Sequence, residues 1–291
     1  MKPSVITRAM TSDGSARIIC ADTSAIVQKA FEVHKTAKTM TAALGRALTV
    51  TSLMGSLLKD KTDTLSLQIK GDGPAGTILC VSNYRGDVRG YAENPDAELP
   101  PNEHGKLDVG GAVGQGTLCI IRDFGSGEPY VGISQLVSGE IAEDISEYYV
   151  TSEQTPTVCA LGVRANTDNS CKAAGGFLLQ LLPGADESII PVLEKNIASL
   201  GSVSKLLEVG RTPEEIIAMV LEGIDYDLFD SYDIEYQCTC NRDKYMRALI
   251  SLNQADMDEL ADSGEPVETE CRFCHTKYSF DIDEILKARK G

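Results

Sequence analysis

The chain contains no tryptophan, only three histidines, and just 5% aromatic residues among its 291. The few histidines restrict the chemistry. His34, His104 and His275 lie in separate segments, none in an HExxH string, and no GxSxG nucleophile elbow occurs, so no conventional hydrolytic set can be assembled and no enzyme is expected. A P-loop string is also missing, as is any apolar run long enough to span a bilayer. The opening residues, MKPSVITRAMTSDGS, lack the apolar core of a secretory signal, which leads to the expectation of a cytoplasmic chain. Positive charge is scarce too, with 27 Lys and Arg against 43 Asp and Glu and a net charge of −16. That balance repels phosphate backbones and anionic lipid, so neither nucleic acid nor a membrane is an expected partner.

Cysteine, by contrast, is abundant. Nine is an odd number, a poor basis for a disulfide framework in a reducing compartment, and it directs attention to buried thiols, metal ligands or redox chemistry. Cys20, Cys80, Cys119 and Cys159 sit in the apolar runs RIIC, TILCV, TLCII and TVCAL and read as small core hydrophobes. Cys171, in DNSCKAAGG, has more polar surroundings. The remaining four, Cys238, Cys240, Cys271 and Cys274, fall in the last quarter of the chain.

Charge divides the chain in the same way. Residues 1–183 carry a net −4, residues 184–232 a net −7, and residues 233–291 a net −5. The expected organisation is α+β: an amino-terminal α/β core domain over 1–183, a helical, metastable, acidic linker over 184–232, and a small carboxy-terminal four-cysteine zinc-binding domain over 233–291. In the first segment, TSAIVQKAFEVHK and the small-residue stretch from Thr39 to Lys59 have helical spacing, with the second expected to pack closely over a sheet. LSLQIKG, TILCVSN, DVRGYAEN, TLCIIRDF and PYVGISQL read as strands, and GGFLLQLLPG as a buried run. Gly71, Gly73 and Gly76 fit GxGxxG, but TILCV rather than a helix follows them. No helix amino terminus is then available to hold a pyrophosphate, and Asp-Gly-Pro reads as a hairpin turn. His34 reads as a helix-face or core residue and His104 as a loop residue.

In the linker, DESIIPVLEKNIASLG, SVSKLLEVG and TPEEIIAMVLEG read as three short helices, the last with Thr212 as N-cap, Pro213 at the first position and Glu215 closing a capping box. Helices this short are marginal alone and persist while their apolar faces are docked. DYDLFDSYDIEYQ, residues 225–237, interleaves aromatics with acids and reads as an amphipathic connector docked on the cysteine module.

The strongest pattern is Cys238-Thr-Cys240, thirty residues, then Cys271-Arg-Phe-Cys274. Two close pairs so separated can supply four thiolates to one tetrahedral zinc ion. ETECRFCHTKYSF reads as strand, metal knuckle and strand, with NRDKYMRALISL and NQADMDELAD as helices between the pairs and a closing helix at DIDEILKAR. So small a unit needs its metal, and oxidation of either pair would remove two ligands. At this point a structural zinc, a zinc-dependent switch and a thiol–disulfide oxidoreductase all remain open.

With ALGR (43–46), GDGP (71–74), RGYA (89–92) and GGFLLQLLPG (175–184), the four-cysteine pattern resembles the redox-regulated chaperones of the heat shock protein 33 family over essentially the whole chain. The resemblance implies that Cys238, Cys240, Cys271 and Cys274 hold zinc in a reduced, inactive form, and that oxidative stress forms the disulfides Cys238–Cys240 and Cys271–Cys274 and expels the metal. It further implies that the zinc domain and linker unfold, that unfolding client proteins are then held without ATP, and that a homodimer forms on activation. Two rivals stand against it: an oxidoreductase, whose C-x-x-C should begin a helix, and a structural zinc-ribbon binding module, which for nucleic acid would need a basic face.

Overall fold

The structure, a computed structural model, describes residues 2–103 and 105–290; His104 therefore lies outside the described residues. The chain divides into two compact units, the first running to Gln237 and the second starting at Cys238.

The first unit is built in chain order from β1 (Ser4–Thr11), β2 (Ala16–Asp22), α1 (Ser24–His34), α2 (Lys38–Gly55), β3 (Thr64–Gly71), β4 (Thr77–Asn83), β5 (Val88–Ala92), a short α3 (Val109–Val113), β6 (Gly116–Asp123), β7 (Tyr130–Gln135) and α4 (Ala142–Thr151). It continues with β8 (Thr157–Ala165), β9 (Cys171–Leu181), a 3-10 turn at Glu187–Ile189, α5 (Ile190–Leu200), α6 (Val203–Glu208), α7 (Pro213–Val220) and β10 (Tyr226–Ile234). Two antiparallel five-stranded sheets result, in the orders β10-β1-β2-β9-β8 and β5-β4-β3-β6-β7.

Helix α2 lies between the sheets. It is apolar or small on nearly every side, and only Lys38 and Arg46 of its 18 residues escape full burial. A helix without a polar face has to be covered all round. Ile6, Ile19, Ala21 and Leu178 of one sheet and Leu65, Leu67, Ile69, Ile78, Leu118 and Ile120 of the other join it in a single core. Gly45 allows the approach, since a Cβ there would meet side-chain carbons of Val163 and Val27 at 2.9 Å. The expectation of a small-residue helix packed over a sheet therefore understated its position, which is between two.

The alternation of the strands shows that the first sheet is covered on both faces. In β2, Ile19 and Ala21 face α2, while Ile18 and Cys20 belong to a second core. In β9, Leu178 faces α2 and Phe177 and Leu179 face the second core. The period of two along a strand makes this division. What covers the second face is the acidic helical segment: Leu193 and Leu200 of α5, Val203 and Leu207 of α6, and Ile216, Ile217 and Val220 of α7 pack on it.

That segment has its own polar anchors. Glu208, at the end of α6, pairs with Arg164 of β8 at 2.5 Å and Lys172 of β9 at 2.6 Å. Glu214, in the first turn of α7, accepts from Thr7 Oγ1 of β1 at 2.7 Å and from Ser231 Oγ of β10 at 2.8 Å. Asn196 Nδ2 of α5 donates to the carbonyls of Val220 and Glu222 at 3.0 and 2.8 Å, tying the first helix of the roof to the last. The capping box of α7 is present as expected, with Thr212 Oγ1 accepting from Glu215 N and Glu215 Oε2 accepting from Thr212 N.

One sequence expectation is corrected. Residues 226–234, read from the sequence as an amphipathic connector, form a strand, β10, paired antiparallel with β1 from Ser4↔Ile234 to Thr11↔Tyr226 with a bulge at Arg8/Ala9. The Arg8 guanidinium pairs with Asp230 across the two strands. Beyond β10, Val88 N donates to the Glu235 carbonyl at 3.0 Å and Gln237 N to the Val88 carbonyl at 2.9 Å. The first unit thus extends through Gln237, and residue 232 lies inside a strand. The partner of β10 is more than 200 residues away in sequence, so a local reading of alternating acids and aromatics could not find it.

The second unit comprises α8 (Arg242–Ile250), α9 (Gln254–Ser263), the hairpin β11 (Val267–Glu270) and β12 (Lys277–Phe280), and α10 (Ile282–Lys290). Among the described residues its core contains four buried apolar side chains, Leu249, Met257, Phe280 and Ile285.

Candidate metal centre

Cys238 and Cys240 lie on the loop that enters the second unit, and Cys271 and Cys274 on the knuckle between β11 and β12. The hairpin gains one more rung at Cys271 N, which donates to the Thr276 carbonyl at 3.0 Å. The chain then turns back sharply, with Cys274 N and His275 N both donating to the Cys271 carbonyl, at 3.3 and 2.8 Å. His275 takes up a left-handed φ of 56° to complete the turn. The entering loop is fixed from α8: Asn241 caps the helix by accepting from Lys244 N at 2.9 Å, and Lys244 Nζ donates to the carbonyl of Thr239, between the two cysteines, at 2.7 Å.

The four sulfurs come together, all within 4.8 Å of one another. Cys238 Sγ lies 3.7 Å from Cys271 Sγ, and Cys240 Sγ lies 3.4 Å from Cys274 Sγ. Four sulfurs about 2.3 Å from a common centre would stand about 3.8 Å apart along the edges of the tetrahedron. All nine cysteines of the chain are free thiols.

The surroundings favour thiolate at one position and thiol at others. Burial, with contributions from neighbouring thiols, pushes Cys238 and Cys240 up. Burial also acts to raise Cys274, but the Thr276 hydroxyl 3.1 Å away, the Thr276 backbone and the adjacent thiols outweigh it and bring this residue down to about 7. Four thiolates at this spacing repel one another, so the cluster suits either one anion among protonated neighbours or four anions around a cation. The donor set fits a soft tetrahedral metal ion.

Sequence reasoning missed the groups that orient the thiols. Tyr278 Oη of β12 lies 3.2 Å from Cys240 Sγ, and its ring packs against Tyr245 of α8 with centroids 5.0 Å apart. Arg242 Nη1 and Nη2 bind Glu284 at 2.5 and 2.7 Å, Nη2 donates to the Ser279 carbonyl, and the guanidinium stacks 4.5 Å from the centre of the Phe280 ring. Arg242 thereby joins the start of α8 to β12 and α10. The position of Tyr278, inside the strand that follows the knuckle, was the one available signal.

Three of the scattered cysteines, Cys20, Cys80 and Cys159, lie in the core as expected. Cys119 does not, because it alternates with the inward Leu118 and Ile120 on β6 and is half-buried on the outward side, and Cys171 is buried despite its polar sequence neighbours. His34 is buried, with Nε2 3.2 Å from Tyr236 Oη. His275 pairs with Glu270 and stands beside the thiol cluster rather than in it. The segment after Gly71-Asp-Gly-Pro is strand β4, and its glycines serve packing: a Cβ on Gly71 would stand 1.8 Å from the Val113 carbonyl oxygen. The C-x-x-C lies in a strand-turn-strand, without the helix start that an oxidoreductase site uses.

Fold and site together define a mixed α and β protein that pairs a helix-roofed sheet domain with a separate four-thiol unit. The family model described as Hsp33 protein matches residues 4–281. The 33 kDa chaperonin of Ruminiclostridium cellulolyticum is 44% identical over 285 residues, covering 97% of each chain, and that of Symbiobacterium thermophilum is 42% identical over 286 residues, covering 98% of this chain and 97% of the other. The crystal structure of the heat shock protein 33 homolog from Thermotoga maritima superposes with a TM-score of 0.90 at 34% identity, over 100% of this chain and 98% of that one. The chain belongs to the Hsp33 family of chaperones. Among the described residues no helix is long and apolar enough to cross a membrane.

Proposed function

We propose that this chain is a redox-regulated, ATP-independent holdase, inactive when reduced and zinc-bound and active when oxidised. One observation carries the reading: four free thiols within 4.8 Å of one another join the entering loop to the β11–β12 knuckle of a unit whose core, among the described residues, holds four buried apolar side chains. Cys238, Cys240, Cys271 and Cys274 would hold the zinc, which when bound ties the entering loop to the knuckle. Structural zinc is worth about 10–16 kcal/mol, against about 3–5 kcal/mol from the core of so small a unit, so folding depends on the four sulfurs.

Peroxide joins each close pair of thiols by an S–S bond and is itself reduced to two waters. The pairs are assigned as Cys238–Cys240 and Cys271–Cys274, following the family resemblance. Each bond withdraws two thiolates from the site, so the metal is lost and the unit unfolds. Residues 184–232 act as the metastable linker after a core of 1–183, and the switch acts through the chain that follows, its folded unit beginning at Cys238 beyond the strand β10. Helices α5, α6 and α7, of 11, 6 and 8 residues, are shorter than helices that persist alone, and they hold their form by docking on the sheet. Once the chain beyond Gln237 loses its fold, the linker is released and Ile18, Cys20, Phe177 and Leu179 are bared to unfolding client proteins in the cytoplasm. An uncovered apolar face of this kind also favours a homodimer of the active form. The work is done by a surface, without turnover, nucleic acid or membrane.

The test is suppression of aggregation of a thermally unfolding client by the zinc-loaded reduced protein and by peroxide-treated protein at elevated temperature, with zinc release followed in parallel. Activity confined to the oxidised, zinc-free sample is expected. Equal activity in both, or activation with all zinc retained, overturns the reading.

A further inference from the structure

Strand β8 is one of the two edges of the first sheet, paired among the described residues only with β9, and the other side of its backbone faces a groove of about 860 Å³. The orientation of its amides follows from two bonds. The Pro156 carbonyl accepts from Leu181 N at the end of β9, and Cys159 N donates the opposite way, to Ser146 Oγ of α4 at 3.1 Å. Because the direction alternates along an antiparallel strand, the N–H and C=O groups of Leu161 and Val163 point away from β9, into the groove. From Cys159 to Ala165 the edge is about 20 Å long.

The charge of this groove runs against that of the molecule. In a chain of net −16, it is lined by Lys38 and Arg46 of α2, Lys106, Arg164 of β8 and Lys205 of α6, with Glu143 as the single carboxylate. Arg46 is paired with Glu140 and Arg164 with Glu208, but Lys38, Lys106 and Lys205 have no ion-pair partner among the described residues. The groove belongs entirely to the first unit and borders the roofed sheet face, sharing Ala160 and Val203 with its core, while the outward N–H and C=O groups of β8 lie on the strand's open side.

We propose that this edge is a binding site for an extended acidic segment of another polypeptide, which adds to β8 as a further strand while its carboxylates meet the lysines on the rims. The open amides supply main-chain hydrogen bonds, and the unpaired cations select the sign of the partner's side chains. Lysines also guard edge strands against pairing, and a pure guard would bind nothing. The proposal concerns the resting protein and does not depend on the thiol switch.

Fluorescence anisotropy on the reduced, zinc-loaded full chain tests it, with an eight-residue alternating glutamate–valine peptide as the probe. Three controls accompany it: the lysine–valine counterpart, a version of the acidic peptide methylated on alternate amide nitrogens, and tripolyphosphate as competitor. Saturable binding of the acidic peptide is expected, weakened at least tenfold by the double variant Lys38→Glu/Lys205→Glu and at least tenfold by amide methylation, with no binding of the basic peptide. Failure of the acidic peptide to bind shows that the lysines only guard the edge. Equal binding of the methylated peptide, or full displacement by equimolar tripolyphosphate, shows a site for anions rather than for a strand. Either result overturns the proposal, and the methylation arm does so on the unmodified protein.

Discussion

Replacing Ile216 with alanine probes the roof of the sheet without touching a cysteine. Ile216 is 0% exposed, on the buried face of α7, in the same core as Ile18, Phe177 and Leu179. Truncating a fully buried isoleucine costs about 2–5 kcal/mol. Alanine is the better helix former, so the loss falls on docking rather than on helix formation. At about 1.4 kcal/mol per factor of ten, the undocked fraction should rise by about 30-fold at the low end and more than a thousandfold at the high end. Cys20 offers a direct readout, being 0% exposed, part of the same core and held well above the usual thiol range by burial. Site-resolved alkylation of the reduced, zinc-loaded protein should modify Cys20 at least about 30 times faster in Ile216→Ala than in the parent. Cys80, in the core between the sheets, should be unchanged. The variant should also suppress client aggregation without oxidant, with its zinc retained. Faster alkylation of Cys20 without any gain in holdase activity would refute the claim that the roofed face is the client surface.

Three further outcomes follow from the same structure. Cys271→Ser removes a buried sulfur of the cluster and should lower zinc affinity and abolish the amide dispersion of residues 238–290 in NMR spectra while leaving that of the first unit in place; a folded second unit in the variant would show that the core alone suffices. Burial acts to raise the Glu214 carboxyl, but hydrogen bonds from Thr7, its own backbone, Ser231 and Thr212 outweigh it and hold it at about 2, below its ordinary 4.5. Its contribution to docking is therefore complete above pH 4.5 and lost as the pH falls toward 2. Hydrogen exchange of α7 should lose protection over that window more steeply in the parent than in Glu214→Gln, and identical profiles would contradict the assignment. Peptide mapping after mild peroxide should find Cys238–Cys240 and Cys271–Cys274; the bonds Cys238–Cys271 and Cys240–Cys274, which the 3.7 and 3.4 Å contacts also make geometrically accessible, would overturn the pairing.

The parts of this protein that were legible in its sequence are those whose signals are local. The capping box at Thr212, the strand–turn–strand around Cys271 and Cys274, and the hairpin at Asp-Gly-Pro each depend on residues within a few positions of one another. The four cysteines announced a common site because their spacing is itself the chemistry. What escaped was non-local. The first strand has no marked alternation and is defined by its pairing with β2 and with β10, from the far end of the first unit. Helix α2 could be seen to need close packing, but not that it would receive it from two sheets. The tyrosines beside the thiols arrive from α8 and β12, which nothing in the linear order brings together.

The central claim is that oxidation of four thiols in the second unit undocks helices in the first. Hydrogen–deuterium exchange across the whole chain, before and after peroxide at elevated temperature, measures this directly. The account predicts loss of protection in α5, α6 and α7 together with residues 238–290, coincident with zinc release and the onset of holdase activity, while β3, β4 and β6 keep theirs. Holdase activity appearing with α5–α7 still protected would contradict it.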